Sequence, residues 1–227
     1  MPLKGAFIVP HPPIILPEIG HGEEKKIQKT TDAYLEAAGR ISGIRPDTII
    51  ITSPHSVLYS DYFHISPGEK AKGDMRRFGA RHVSMEVEYD SEFVKALSHE
   101  AEKDDIPAGT LGERDSELDH GTFIPLYFIN KFYKNYKLVR IGLSGLSHLD
   151  HYRFGKTIAK TIDELGRNAV FIASGDLSHK LLHEGPYGFA KEGPDFDRKV
   201  TEAMNNGDFL SFISFEPSFC ESAADAA

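Results

Sequence analysis

The stretch Thr48-Ile49-Ile50-Ile51-Thr52-Ser53-Pro54-His55-Ser56 decides the fold class. Its first five residues are β-branched and lack polar alternation, the pattern of a strand covered on both faces. Such strands belong to parallel sheets flanked by helices, and the surrounding segments agree. Upstream, Leu3–Val9 is an apolar run closed by Pro10. Between the two, Ile27, Thr31, Tyr34, Leu35, Ala38 and Ile41 follow helical spacing over Lys26–Ile41, with Gly43 as the stop. Downstream, Val57–Ile65 and Val83–Tyr89 alternate and read as strands with one wetter side. Ser91–Ala101 carries Phe93, Val94 and Leu97 at helical spacing behind Asp90 or Ser91 as N-cap, and Thr122–Phe132 reads as a further helix. Lys137–Leu143 and Ala169–Ser174 read as strands joined by a helix over Tyr152–Leu165, a unit that implies a right-handed crossover and a parallel pair. Asp195–Asn205 adds a last helix. The expected class is α/β: a single domain with a mainly parallel or mixed central sheet and helices on both faces.

Composition narrows the function. With 227 residues, 40% of them hydrophobic, the chain can bury a full core and is too short to favour two independent domains. Its apolar runs fall far short of the roughly 20 residues of a membrane span, and Met1-Pro2-Leu3-Lys4-Gly5 leads into a strand without the apolar region of an export signal. The lone cysteine, Cys220, excludes an intrachain disulfide framework and fits a reducing compartment, so a cytoplasmic location is expected. A net charge of -8 opposes a phosphate backbone, so neither a nucleic-acid nor a membrane partner is expected. Lys70, Lys72, Arg76, Arg77 and Arg81 gather around Gly68, Gly73 and Gly79 and read as a solvated loop rather than an anion site. A homo-oligomeric state is left open.

The histidines are placed unevenly on this skeleton. His11 follows the first strand in Val9-Pro10-His11-Pro12-Pro13, and His55 follows the next core strand in Ser53-Pro54-His55-Ser56. In open α/β sheets the crevice beyond the carboxyl ends of the strands is the usual ligand site. The flanking prolines fix φ and lower the entropy lost in holding an imidazole still. His179 again lies beyond a strand end in Gly175-Asp176-Leu177-Ser178-His179, and Asp119-His120-Gly121 supplies a fourth histidine in a constrained loop. Imidazole is both the commonest ligand of first-row metals and the side chain that titrates nearest neutrality, so two could bind a metal while two exchange protons. His21, His64, His82, His99, His148, His151 and His183 read as surface or structural residues. Cys220, beside Phe219, reads as an inert buried residue rather than a thiolate ligand. Phe7, Phe123 and Tyr127 read as core rather than pocket. There is no Gly-x-x-x-x-Gly-Lys loop, no Gly-x-Gly-x-x-Gly after a strand and no Gly-x-Ser-x-Gly elbow.

The four histidine loops, in this order along nearly the whole chain, resemble the LigB-like superfamily, which includes class III extradiol ring-cleaving dioxygenases and the related Memo-type proteins of the AmmeMemoRadiSam system. The resemblance implies a two-histidine, one-carboxylate Fe(II) site, with zinc or copper as alternatives, and an aromatic substrate reacting with dioxygen. It matches His11 and His55 to the metal ligands, His179 to the acid–base histidine and His120 to a second histidine in the substrate pocket. Glu221 and Cys220 are the nearby candidates for the third ligand, though both stand early for it. The LigB/Memo-like domain is therefore expected to span 1–227 and to continue past Ala227 to its carboxylate. Two functions follow from the resemblance: extradiol-type oxygen insertion into a catechol-like ring, and a Memo-like metal-binding redox role beside a radical SAM partner without ring cleavage; zinc-dependent hydrolysis is a separate reading, favoured only if the site binds zinc tetrahedrally with one water.

Overall fold

The computed structural model describes residues 3–114 and 117–223. In chain order the elements are β1 (Leu3–Val9), the short helix α1 (Pro17–Gly20), α2 (Gln28–Ile44), β2 (Thr48–Ser53), β3 (Phe63–His64), β4 (Lys70–Met75), β5 (Ala80–Glu88), α3 (Ser91–Lys103), β6 (Ala108–Gly109), α4 (His120–Ile129), β7 (Lys137–Gly142), α5 (His148–Leu165), β8 (Ala169–Ser174), α6 (Glu192–Asn206) and α7 (Pro217–Ser222). Asp90 caps α3 by accepting from the Phe93 amide, as its position before the apolar period implies. No helix among the described residues is long and apolar enough to cross a membrane.

The fold is α/β around a four-stranded parallel sheet of order β1-β8-β2-β7. β2 is interior, and its isoleucines show why it lacks polar alternation: Ile49, Ile50 and Ile51 are all fully buried. The pleat sends Ile49 and Ile51 to one face, where they pack with Val170, Ile172 and Leu138 beneath Tyr34, Ala38 and Ile41 of α2 and Phe123 and Leu126 of α4. Ile50 joins Val139 and Ile141 on the other face, covered by Phe93 and Leu97 of α3 and Phe154, Ile158 and Ile162 of α5. Each such side chain contributes about 1.5–3 kcal/mol on burial. α4 is apolar on nearly every side because all of it except His120 and Tyr127 is buried.

Three expectations are corrected. The strands on either side of α5 are parallel but not paired, because β2 lies between β7 and β8 and hydrogen-bonds both. Of Val57–Ile65 only Phe63–His64 is strand; before it, the Tyr59 carbonyl accepts from the Gly145 amide of a loop rather than from a neighbouring strand. α2 also runs past Gly43 and stops where Arg45 adopts a left-handed conformation at φ 52°. The hairpin of β4 and β5 is antiparallel. The lysines and glycine of β4 had masked it as a strand.

The chain divides into two compact units, Met1–Leu146 with Arg153–Gly175, and Ser147–Tyr152 with Asp176–Ala227. The first holds the sheet and its covering helices. In the second, Phe196 of α6 packs on Phe215 and Phe219 at 6.1 and 6.0 Å between ring centroids.

Candidate metal centre

Parallel strands end on the same edge, and this brings His11 and His55 together. His11 lies two residues beyond β1 and His55 two beyond β2, and β8 runs between those strands. His11 is buried, with 3% exposure, and its Nε2 stands 3.0 Å from Nε2 of His55. The first residue of α4, His120, completes the group. Its ring centroid is 4.0 Å from that of His55 and 5.3 Å from that of His11. The three offer donor nitrogens that all lie within 4.8 Å of one another.

The hydrogen-bond pattern assigns the His11 tautomer. The Ser174 hydroxyl, at the end of β8, donates its proton to the Gly121 carbonyl at 2.5 Å. It can then only accept from Nδ1 of His11, 2.9 Å away, so Nδ1 carries the hydrogen and Nε2 presents its lone pair to His55. Gly121 has a carbonyl to offer because Pro125, four residues on in α4, has no N–H to return to it. Gly121 leaves needed room: a Cβ there would drive into Ser53 Oγ and crowd Asp119 Oδ1, beside His55.

A second network holds His55 and His120. The Asp119 side chain caps α4, accepting from Thr122 N at 2.9 Å and Thr122 Oγ1 at 2.8 Å. It also accepts from Ser53 Oγ at 2.6 Å, and Ser53 in turn accepts from the His55 amide at 3.2 Å. Behind Asp119 lies Arg140, 1% exposed, with Nη1 3.7 Å from the carboxylate. Arg140 also donates to Ser66 Oγ at 2.8 Å and to the Glu117 carbonyl at 2.6 Å. A buried guanidinium with these partners fixes the loop that carries His120.

The group opens on a cavity of about 170 Å³ lined by His55, His120, Arg76, Arg77, Phe78 and Asp119, among others. Phe78 stands edge-on to His120 at 5.2 Å. Sequence reasoning missed Phe78 as a wall of the site and set Arg76 and Arg77 aside as solvated. Both lie on a hairpin remote in sequence from the histidine loops, and only their adjacency to three glycines hinted at a shaped turn. Phe123 is wholly buried and Phe7 and Tyr127 pack against the same core, so none of the three lines this cavity.

The other candidates lie in the second unit. Residues 176–179 are tied to α6 there, the Ser178 amide donating to Asp197 at 2.8 Å. His179 is exposed, with Nε2 3.4 Å from Asp176 Oδ2 and its ring stacked on Tyr187 at 5.0 Å. Glu221 is exposed on α7, and Cys220 is buried against an aromatic cavity of about 360 Å³ that includes Phe196, Phe212 and Phe215. Neither belongs to the donor group, whose third member is His120.

Residues 5–226 match the family described as the catalytic LigB subunit of aromatic ring-opening dioxygenase. The chain belongs to the LigB family. Protein CA_C1420 of Clostridium acetobutylicum is 41% identical to this LigB-family chain over 223 residues, covering 95% of the chain and 48% of that protein. The chain thus spans about half the length of that relative. It is 25% identical over 219 residues to the 3,4-dihydroxyphenylacetate 2,3-dioxygenase of Escherichia coli, covering 91% of the chain and 77% of the enzyme. A 2-aminophenol 1,6-dioxygenase beta subunit from a Pseudomonas species is also 25% identical, over 251 residues, with 96% and 79% covered.

Proposed function

We propose that this protein is a non-haem Fe(II)-dependent oxidoreductase of the extradiol type, working in the cytoplasm on a catechol-like aromatic substrate with dioxygen. The observation that carries the reading is the pair of facing Nε2 atoms on His11 and His55, 3.0 Å apart, with the other nitrogen of His11 already engaged by Ser174. Two ligands at right angles, each about 2.1 Å from an ion, stand about 3.0 Å apart, so the pair fits a divalent metal. His11, His55 and His120 would hold it, and the bound iron would supply Lewis acidity and redox chemistry with dioxygen. Phe78 offers the ring of a substrate an aromatic wall beside His120. His179 is assigned the general acid–base role, taking the phenol proton and returning it. Family membership and the two dioxygenase relatives, named for dihydroxyphenylacetate and aminophenol, support an oxidoreductase acting on an aromatic ring.

A second reading draws on the donor set. Three imidazoles stand where a two-histidine, one-carboxylate set was expected, and this favours a Memo-like redox protein without ring cleavage, partnered by a radical SAM protein. Anaerobic iron loading followed by elemental analysis and oxygen uptake separates the two. The dioxygenase reading expects one iron per chain, lost in His11→Ala and His55→Ala and weakened in His120→Ala, and stoichiometric oxygen uptake with a yellow ring-opened product from a panel of catechols. Iron binding without uptake supports the Memo-like role. Full metal content in His11→Ala would sink both, and zinc or copper in place of iron would redirect the chemistry.

A further inference from the structure

His64 lies on β3 and is only 1% exposed. Its Nδ1 stands 3.0 Å from the Leu111 carbonyl, which can only accept, so Nδ1 carries the hydrogen and Nε2 keeps a lone pair. That Nε2 is buried without a hydrogen-bond partner, a costly arrangement that calls for a reason. The segment His64 holds is gripped twice more. The Tyr62 hydroxyl accepts from the Leu111 amide at 3.4 Å, and the Tyr59 hydroxyl accepts from the Glu113 amide at 2.9 Å. Gly109 and Gly112 make room for these phenols: a Cβ on the first would run into the Tyr62 hydroxyl, and on the second into that of Tyr59. β3 pairs with β6, and just beyond it the Ile65 amide donates to the Gly109 carbonyl at 2.7 Å. One short stretch, residues 59–65, thus clamps residues 109–113. From that segment the chain runs on to Glu117, whose carbonyl accepts from Arg140, and to Asp119 and His120 at the start of α4.

Neutral imidazole suits this place and imidazolium does not. Burial pushes the His64 pKa below its ordinary 6.5 and Arg140 adds to that, while the Leu111 hydrogen bond and Glu113 work the other way. Arg140 of β7, Glu113 of the clamped segment and the phenols of Tyr59 and Tyr62 are the titratable groups around it. A proton on Nε2 would add a second interior cation near the Arg140 guanidinium, with no acceptor to meet it. We propose that His64 is a positioning residue of the candidate metal centre: neutral, it holds residues 109–113 and through them the His120 loop, and protonated it lets them loosen, so that the centre loses metal affinity on acidification. The proposal rests on the reading of His11, His55 and His120 as that centre. The sign follows from linkage. A group that resists protonation when clamped and accepts it when freed stabilises the clamp fully above about pH 6.5 and less as the pH falls below it. With a freed imidazole titrating near 6.5, opening gains up to about 30-fold by pH 5.

The test compares the native protein with His64→Asn, whose side-chain amide nitrogen replaces Nδ1 as donor and does not titrate. In the metal-free proteins, hydrogen exchange at the Ile65 and Glu113 amides, corrected for its intrinsic pH dependence, reads the clamp. Native protection is expected to fall about 10-fold or more between pH 8 and pH 5 and to stay level in His64→Asn. Fe(II) affinity, measured anaerobically by competition with a chelator, is expected to match at pH 8 and to be lower in the native protein at pH 5.5. Protonation of the ligand histidines themselves weakens both proteins alike, so the difference isolates His64. If His64→Asn does not fold, the ring nitrogens of native His64 followed by NMR carry the test, with the Nδ1–H neutral form expected to persist below pH 6. The same fall in protection in both proteins, equal Fe(II) affinities at both pH values, or a native His64 that titrates at 6.5 or above overturns the proposal. No Fe(II) binding by either protein at pH 8 overturns the metal reading, and with it the link from the clamp to the centre.

Discussion

At the scale of single residues, the candidate centre depends on a serine that touches no substrate. The single hydroxyl proton of Ser174 goes to Gly121, which obliges His11 to donate from Nδ1 and leaves Nε2 facing His55. Hydrogen-bond partners behind a ligating imidazole typically account for 10- to 100-fold in metal affinity. Ser174→Ala is therefore expected to weaken metal binding by about 10-fold or more, measured by competition with a chelator of known affinity, with little change in the sheet. Affinity equal to that of the native protein would show that the tautomer is set elsewhere. Asp119-His120-Gly121 is explained at this scale too: the aspartate caps the helix, the histidine supplies the donor nitrogen, and the glycine leaves room for Ser53 and His55.

Between elements, the clearest electrostatic contact joins α3 to α5. Glu100, 4% exposed, receives Lys103 of its own helix and Lys160 of α5, both at 2.5 Å. Hydrogen bonds first from Lys103 and then from Lys160 lower its pKa from 4.5 to about 2. Because the folded state favours the charged carboxylate, the contribution is complete above about pH 4.5 and lost as the pH falls towards 2. Glu100→Gln should lower stability at pH 7 in urea denaturation, and the gap between variant and native protein should close between pH 4.5 and 2. A gap that persists unchanged at pH 2.5 would assign the loss to packing instead. α4 shows a different economy of elements. Pro125, which would normally break a helix, leaves the Gly121 carbonyl free to accept from Ser174 at the end of β8, which in turn orients His11.

Across the whole molecule, the three convergent histidines belong to one compact unit and His179 to the other. Metal binding and proton transfer are thus expected to separate by mutation: His179→Ala should keep its iron while losing oxygen uptake by about 100-fold or more, the scale of general acid–base catalysis. Loss of iron in that variant would make His179 a ligand. Much of this arrangement was legible from local pattern alone. The triple isoleucine of β2 announced a strand buried on both faces, the Phe93-Val94-Leu97 period announced α3, and proline and glycine brackets marked the loops of His11, His55 and His120, because burial and backbone restriction are written into neighbouring residues. What only the tertiary structure decided was adjacency. The insertion of β2 between β7 and β8, the proximity of Ser174 to His11, the place of His120 among the donors and the position of Arg77 and Phe78 on the cavity all join residues tens to hundreds of positions apart. Their meeting is set by strand order and by how the helices fill the space above the sheet, for which no periodicity along the chain carries a signal.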